Sequence, residues 1–182
     1  MNLPNKITLL RVCLIPAFLF VYLAQPLGEI SNMWLALILF VIAAVTDAID
    51  GYLARRLALV TNFGKLMDPL ADKLLVGAAL IAFVATQALP AWAVILIISR
   101  EFFISGLRQL ALEQQLVLAA TSAAKFKTIM QITLIVYILL PPPFTLFVFD
   151  WGILALVIIT VAASVYSAFD YTYKNIGIFA KK

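Results

Sequence analysis

Histidine is absent from this 182-residue chain, cysteine occurs once, and charged side chains make up only 12% of it. Without histidine there can be no imidazole-bound zinc, no Ser-His-Asp triad and no Cys-His dyad. A lone cysteine, Cys13, allows no disulfide within the chain. Flanked by Val12 and Leu14, it reads as a small buried hydrophobe. The shortage of charge argues against a soluble fold, which needs polar residues to cover its surface. The net charge of +4 is spread thinly among apolar segments, so it reads as topology signal and anion contact rather than as a nucleic-acid surface.

What the chain has in abundance is apolar residues, at 65%. A bilayer core of ~30 Å takes roughly 20 residues of helix per crossing. About six crossings with short loops would use the whole length, so residues 1–182 are expected to form a single all-α integral membrane domain. The N-terminal apolar run is interrupted by Arg11 and lacks an A-x-A cleavage pattern, which makes it an uncleaved first helix. Helices are expected over 7–24, 31–56, 65–85, 90–112, 123–140 and 151–171. Ser31 is the expected N-cap of the second, and Pro141 to Pro143 stop the fifth.

Charge sets the orientation. The connections at 25–31, 86–90 and 141–150 hold no Lys or Arg, so all 13 basic residues fall on the other half. This is the positive-inside pattern and predicts that both termini are cytoplasmic. The apolar runs 33–46, 74–85 and 90–98 look too short to span alone, so helices two to four carry charge into the cytoplasmic leaflet. Ionisable groups at that depth persist where they line a polar cavity. A polar cavity facing the cytoplasm is expected there.

Four aspartates stand out: DAIDGYLAR at 47–55 and GKLMDPLAD at 64–72. Asp47 and Asp50 are spaced i,i+3 and Asp68 and Asp72 i,i+4, so each pair shares one helical face. Four carboxylates at one depth repel one another unless hard divalent cations neutralise them, and all-oxygen ligands suit Mg²⁺, Mn²⁺ or Ca²⁺. Two such ions can clamp the attacking and leaving oxygens of a phosphoryl displacement. Gly51 and Gly64 allow a diphosphate or nucleotide close to the backbone, Ala54 keeps the same face open, and Arg55 offers a planar fork to phosphate. Interfacial salt bridges with Arg55, Lys65 and Lys73 are the plainer alternative, but they leave two same-face pairs of acids unexplained. A divalent-cation transporter is another. A conduction path would place polar residues in both leaflets, whereas the outer halves of helices two to four are almost wholly apolar.

The pattern D-x-x-D-G-x-x-A-R-x(8)-G-x-x-x-D-x-x-x-D resembles the signature of the CDP-alcohol phosphatidyltransferase family at every fixed position. The resemblance implies that a CDP-linked lipid binds through its diphosphate, that an acceptor hydroxyl attacks the phosphorus bearing the diacylglycerol, and that CMP leaves. It assigns Asp47, Asp50, Asp68 and Asp72 as ligands of two Mg²⁺ or Mn²⁺ ions, with Asp72 also the general base. Gly51, Ala54, Arg55 and Gly64 would border the CDP group, and Asn5 and Thr8 would close its nucleotide end.

The acceptor has to be read outside the signature. Arg100 and Arg108 lie about two turns apart on one helix face, and Lys125 and Lys127 open the next helix. Together they would make a cationic site for an acceptor carrying its own phosphate; the plainer role is headgroup anchoring for Arg108, Lys125 and Lys127, and pairing with Glu101 or an aspartate for Arg100. NLPNKITLLR (2–11), REFFISGLR (100–108) and KFKT (125–128) resemble the bacterial phosphatidylglycerophosphate synthases of the family. That implies CDP-diacylglycerol and sn-glycerol 3-phosphate as substrates, a homodimer, and an active site on the cytoplasmic side of the bacterial inner membrane. An inositol phosphate, serine or lipid-alcohol acceptor is the alternative within the family.

Overall fold

The computed structural model describes residues 3–56, 62–113, 121–141 and 150–175, with side chains at all of these except 3–8, 47–56, 62–69, 72, 112 and 150. Six helices and no strand occur among the described residues: α1 (Leu3–Ala24), α2 (Glu29–Arg56), α3 (Asn62–Ala85), α4 (Ala91–Glu113), α5 (Ser122–Leu139) and α6 (Asp150–Lys174). The described chain falls into two compact units, one of α1, α2 and α3, the other of α4, α6 and most of α5.

The first unit is built on aromatic packing. Phe18 of α1 is fully buried. Its ring stacks on Tyr22 at 6.0 Å between centroids and meets Phe40 of α2 at 6.1 Å. Tyr22 in turn meets Phe83 of α3 in a T-shaped pair at 5.2 Å. Offset and edge-on arrangements of this kind add to the burial itself, by about 1 kcal/mol per pair. The Tyr22 hydroxyl is hydrogen-bonded to that of Thr86 at 3.0 Å, so the ring is buried without stranding its polar end. Ala36 and Ala43 on α2 and Ala71 and Ala79 on α3 are fully buried, and small side chains there let helix backbones approach closely.

Ser31 was the expected cap of α2, but the helix begins two residues earlier, at Glu29, and the buried Asn32 holds the turn. Its Nδ2 donates to the Gly28 carbonyl at 2.6 Å, and its Oδ1 accepts from the Leu27 N–H at 3.3 Å. Gly28 sits at φ +89°, a left-handed conformation that glycine adopts without steric penalty. The early start also revises the span of α2. The 18 residues Glu29–Thr46 are long and apolar enough to cross a membrane, contrary to the expectation from 33–46.

Ser122–Leu139 and Trp151–Lys174 meet the same criterion, while Leu9–Ala24 and Lys73–Ala85 are shorter apolar helices. Large apolar side chains stay outside, among them Phe20, Ile81, Phe102 and Phe169, each at least 60% exposed. Long apolar helices with apolar outer faces make this a membrane protein. Cys13, expected inside, lies exposed on α1.

In the second unit, α4 packs on α6. Ile97, Arg100, Ile104, Leu107 and Ala111 are buried along α4 at alternating spacings of three and four. Val157, Thr160, Ser164, Ser167 and Tyr171 repeat that rhythm on α6. Matching seams of this period are those of helices crossing at a shallow angle.

Candidate functional site

Asp47 and Asp50 fall in the C-terminal half of α2, and Asp68 and Asp72 in the N-terminal half of α3. Those two helices pack on each other within the first unit, and α1 packs on both. Each aspartate pair therefore sits on a continuous helix with its i,i+3 or i,i+4 spacing preserved. The side chains of Asp47, Asp50, Asp68 and Asp72 lie outside the described residues, as do those of Asn5, Thr8, Arg55, Ala54, Gly51 and Gly64. The donor set fits hard divalent cations, being carboxylate throughout and carried by two packed helices.

Arg11 adds a cation to the same unit. It lies on α1 one turn beyond Thr8, is fully buried, and heads the largest fully buried side chains. Wholly buried arginine is rare unless it is paired. Lys73, next to Asp72 on α3, is half-buried.

The four cations expected to take an acceptor phosphate divide sharply in the second unit. Arg100 and Lys127 are inside, at 9% and 3% exposure, whereas Arg108 and Lys125 are exposed. Arg100 donates from one terminal amine to the Ser167 hydroxyl at 2.6 Å and from the other to the Glu101 carboxylate at 3.4 Å. Glu101 is also ion-paired with Lys127 through its second oxygen. One carboxylate thus joins α4 to α5, with Arg100 tying the group to α6. Charges buried this deeply persist when each is paired and hydrogen-bonded. The plainer role weighed for Arg100, pairing with Glu101, is realised here.

Arg108 is held differently. Its Nε donates to the Tyr171 hydroxyl at 3.3 Å, and its guanidinium carbon lies 5.6 Å from the centre of that ring. Tyr171 itself is fully buried with Ile104 and Leu107. Lys125, exposed at the start of α5, lies two residues from Lys127 and so on a different face of the helix.

Ser167 and Tyr171 of α6 complete this cluster, and neither is among the residues that the sequence singles out. A signal for both was present. Thr160, Ser164, Ser167 and Tyr171 follow one another at steps of four, three and four in an otherwise apolar helix, which marks a single polar face.

The model of the family described as CDP-alcohol phosphatidyltransferase matches residues 1–166. A CDP-diacylglycerol–glycerol-3-phosphate 3-phosphatidyltransferase of Bacillus subtilis is 46% identical over 188 residues, covering 96% of this chain and 95% of the relative. Proteins of the same name from Rickettsia bellii and Rickettsia typhi are 40% and 39% identical, over 71% of this chain in each case and 70% and 71% of their own lengths. The matched region takes in α1 to α5, all four aspartates and most of α6, and the chain belongs to the CDP-alcohol phosphatidyltransferase family.

Proposed function

We propose that the protein transfers the phosphatidyl group of CDP-diacylglycerol to sn-glycerol 3-phosphate, giving phosphatidylglycerophosphate and CMP. The observation that carries this reading is the eight-position motif on the packed helices α2 and α3, in a chain 46% identical to a relative named for that reaction.

In this reading Asp72 accepts the proton of an acceptor hydroxyl as its oxygen forms a bond to the phosphorus bearing the diacylglycerol. The bond from that phosphorus to the CMP oxygen breaks, and the electron pair leaves with CMP. Gly51, Ala54 and Gly64 give the CDP group room against α2 and α3, Arg55 supplies a fork to its phosphates, and Asn5 and Thr8 close the nucleotide end. Asp47, Asp50, Asp68 and Asp72 would hold two Mg²⁺ or Mn²⁺ ions, which when bound neutralise the diphosphate and the charge developing on the departing CMP. Arg108 and Lys125 take the acceptor phosphate, and the buried Arg100 and Lys127 add to the positive field.

Residues 1–182 act as one membrane domain of six crossings in the bacterial inner membrane. Both termini and a polar cavity face the cytoplasm, and the enzyme works as a homodimer. The test is CMP release by purified enzyme with CDP-diacylglycerol and Mg²⁺ across a panel of acceptors. Release with glycerol 3-phosphate, and its loss on chelation or in Asp72→Asn with CDP-lipid binding retained, is the expected result. Release only with inositol phosphate, serine or a lipid alcohol overturns the acceptor. Metal uptake into sealed vesicles without turnover overturns the enzyme.

A further inference from the structure

Two arginines of α4 reach side chains of α6, and they are held in opposite ways. Both terminal amines of Arg100 are engaged, by Ser167 and Glu101, and the side chain is buried. Arg108 is engaged only through Nε among the described residues, and it is exposed. A guanidinium is planar and its N–H groups form a rigid fork. Fixing Nε therefore fixes the direction of the two remaining amines.

The group that fixes it is itself buried and packed. Tyr171 has no exposed surface, and its ring is packed among Ile104, Leu107 and Ala168. Its backbone carbonyl accepts from the Asn175 side chain at 2.7 Å, which secures the last turn of α6. The ring also lies within cation–π range of the guanidinium, at 5.6 Å. A long flexible arginine is thereby held by a hydroxyl and an aromatic face before any ligand arrives.

We infer that Tyr171 is a positioning residue for the acceptor: it pre-orients the Arg108 guanidinium so that both terminal amines are presented as a fork to the phosphate of glycerol 3-phosphate. This rests on Arg108 being an acceptor-phosphate contact, as proposed above. Nothing in the signature motif points to α6, and the contribution is specific to a phosphorylated acceptor. The affinity it provides comes from ordering done in advance, which leaves less side-chain freedom to lose on binding.

Tyr171→Phe keeps the ring, the packing and the cation–π contact and removes only the hydroxyl acceptor. Steady-state kinetics of the full-length enzyme, varying each substrate in turn, should show the KM for glycerol 3-phosphate raised about fivefold, as expected for losing one hydrogen bond. The kcat, the KM for CDP-diacylglycerol and the thermal inactivation midpoint should stay at wild-type values. A merely structural tyrosine would lower kcat or the midpoint, or move both KM values together, and either result overturns the inference. Arg108→Ala should raise the same KM at least as far, and Tyr171→Phe added to it should do nothing more. If Arg108→Ala leaves that KM unchanged, the acceptor reading falls and takes this inference with it. If Arg108→Ala raises it and Tyr171→Phe does not, only the positioning role is lost.

Discussion

Glu101 joins the buried charges of the second unit. It stands between two cations with almost no access to solvent, Arg100 and Lys127. Neutralising it by Glu101→Gln keeps the volume but removes the carboxylate that these two buried cations share. Breaking a buried pair in this way typically costs about 3 kcal/mol. The thermal inactivation midpoint in detergent should fall accordingly, and Glu101→Gln with Lys127→Met should recover much of the loss. A midpoint for Glu101→Gln equal to wild type would show that Glu101 does not carry the cluster. The sequence made Arg100 and Lys127 visible as cations and Glu101 as a partner for Arg100, but not the sharing of that carboxylate with Lys127. Ser167 lies 67 residues from Arg100 in the chain, and only the fold brings them together. Arg108 was legible as a cation of the type that suits phosphate, whereas the tyrosine that holds it was not.

At the level of elements, helix positions were legible because their ends are punctuated by residues with hard backbone requirements. Gly28 separates α1 from α2, Pro90 precedes α4, and Pro141 follows α5. Starts were read less well. The Asn32 side chain, reaching back to Gly28 from inside the helix, took the role assigned to Ser31, and nothing local distinguishes two adjacent polar residues. Two glycines make the point testable. A Cβ added at either Gly28 or Gly77 meets nothing within 4 Å, so crowding plays no part in either substitution. What differs is backbone conformation: Gly28 is left-handed at φ +89°, and Gly77 lies within α3. Gly28→Ala should therefore destabilise by about 1 kcal/mol. Gly77→Ala should stabilise by roughly 0.5–1 kcal/mol, through helix propensity and a less disordered unfolded chain. Apparent melting midpoints in one detergent give the comparison, and a Gly28→Ala midpoint at or above that of Gly77→Ala would contradict it.

For the whole molecule, the proposed orientation in the bilayer rests on charge. All 13 basic residues avoid the connections after α1, α3 and α5, which predicts that those connections lie outside. Trp34, Trp92 and Trp151 sit near the starts of α2, α4 and α6 and are 40%, 50% and 78% exposed, and amphipathic rings of this kind suit the headgroup level of a bilayer. Tyr173, 81% exposed, ends α6. It is about 33 Å of helix from Trp151, enough to anchor both surfaces of a ~30 Å core. In a Cys13→Ala background, Gln87→Cys should react with a membrane-impermeant maleimide added to intact cells. Lys174→Cys should react only once the membrane is opened. Because α1 to α6 alternate in direction in a six-crossing topology, one reversed result is informative beyond its own site. Labelling of Lys174→Cys from outside would put the end of α6, and with it the aspartate-bearing ends of α2 and α3, on the side of the membrane opposite to the one proposed for the site. That outcome would overturn the proposed topology and the cytoplasmic placing of the reaction.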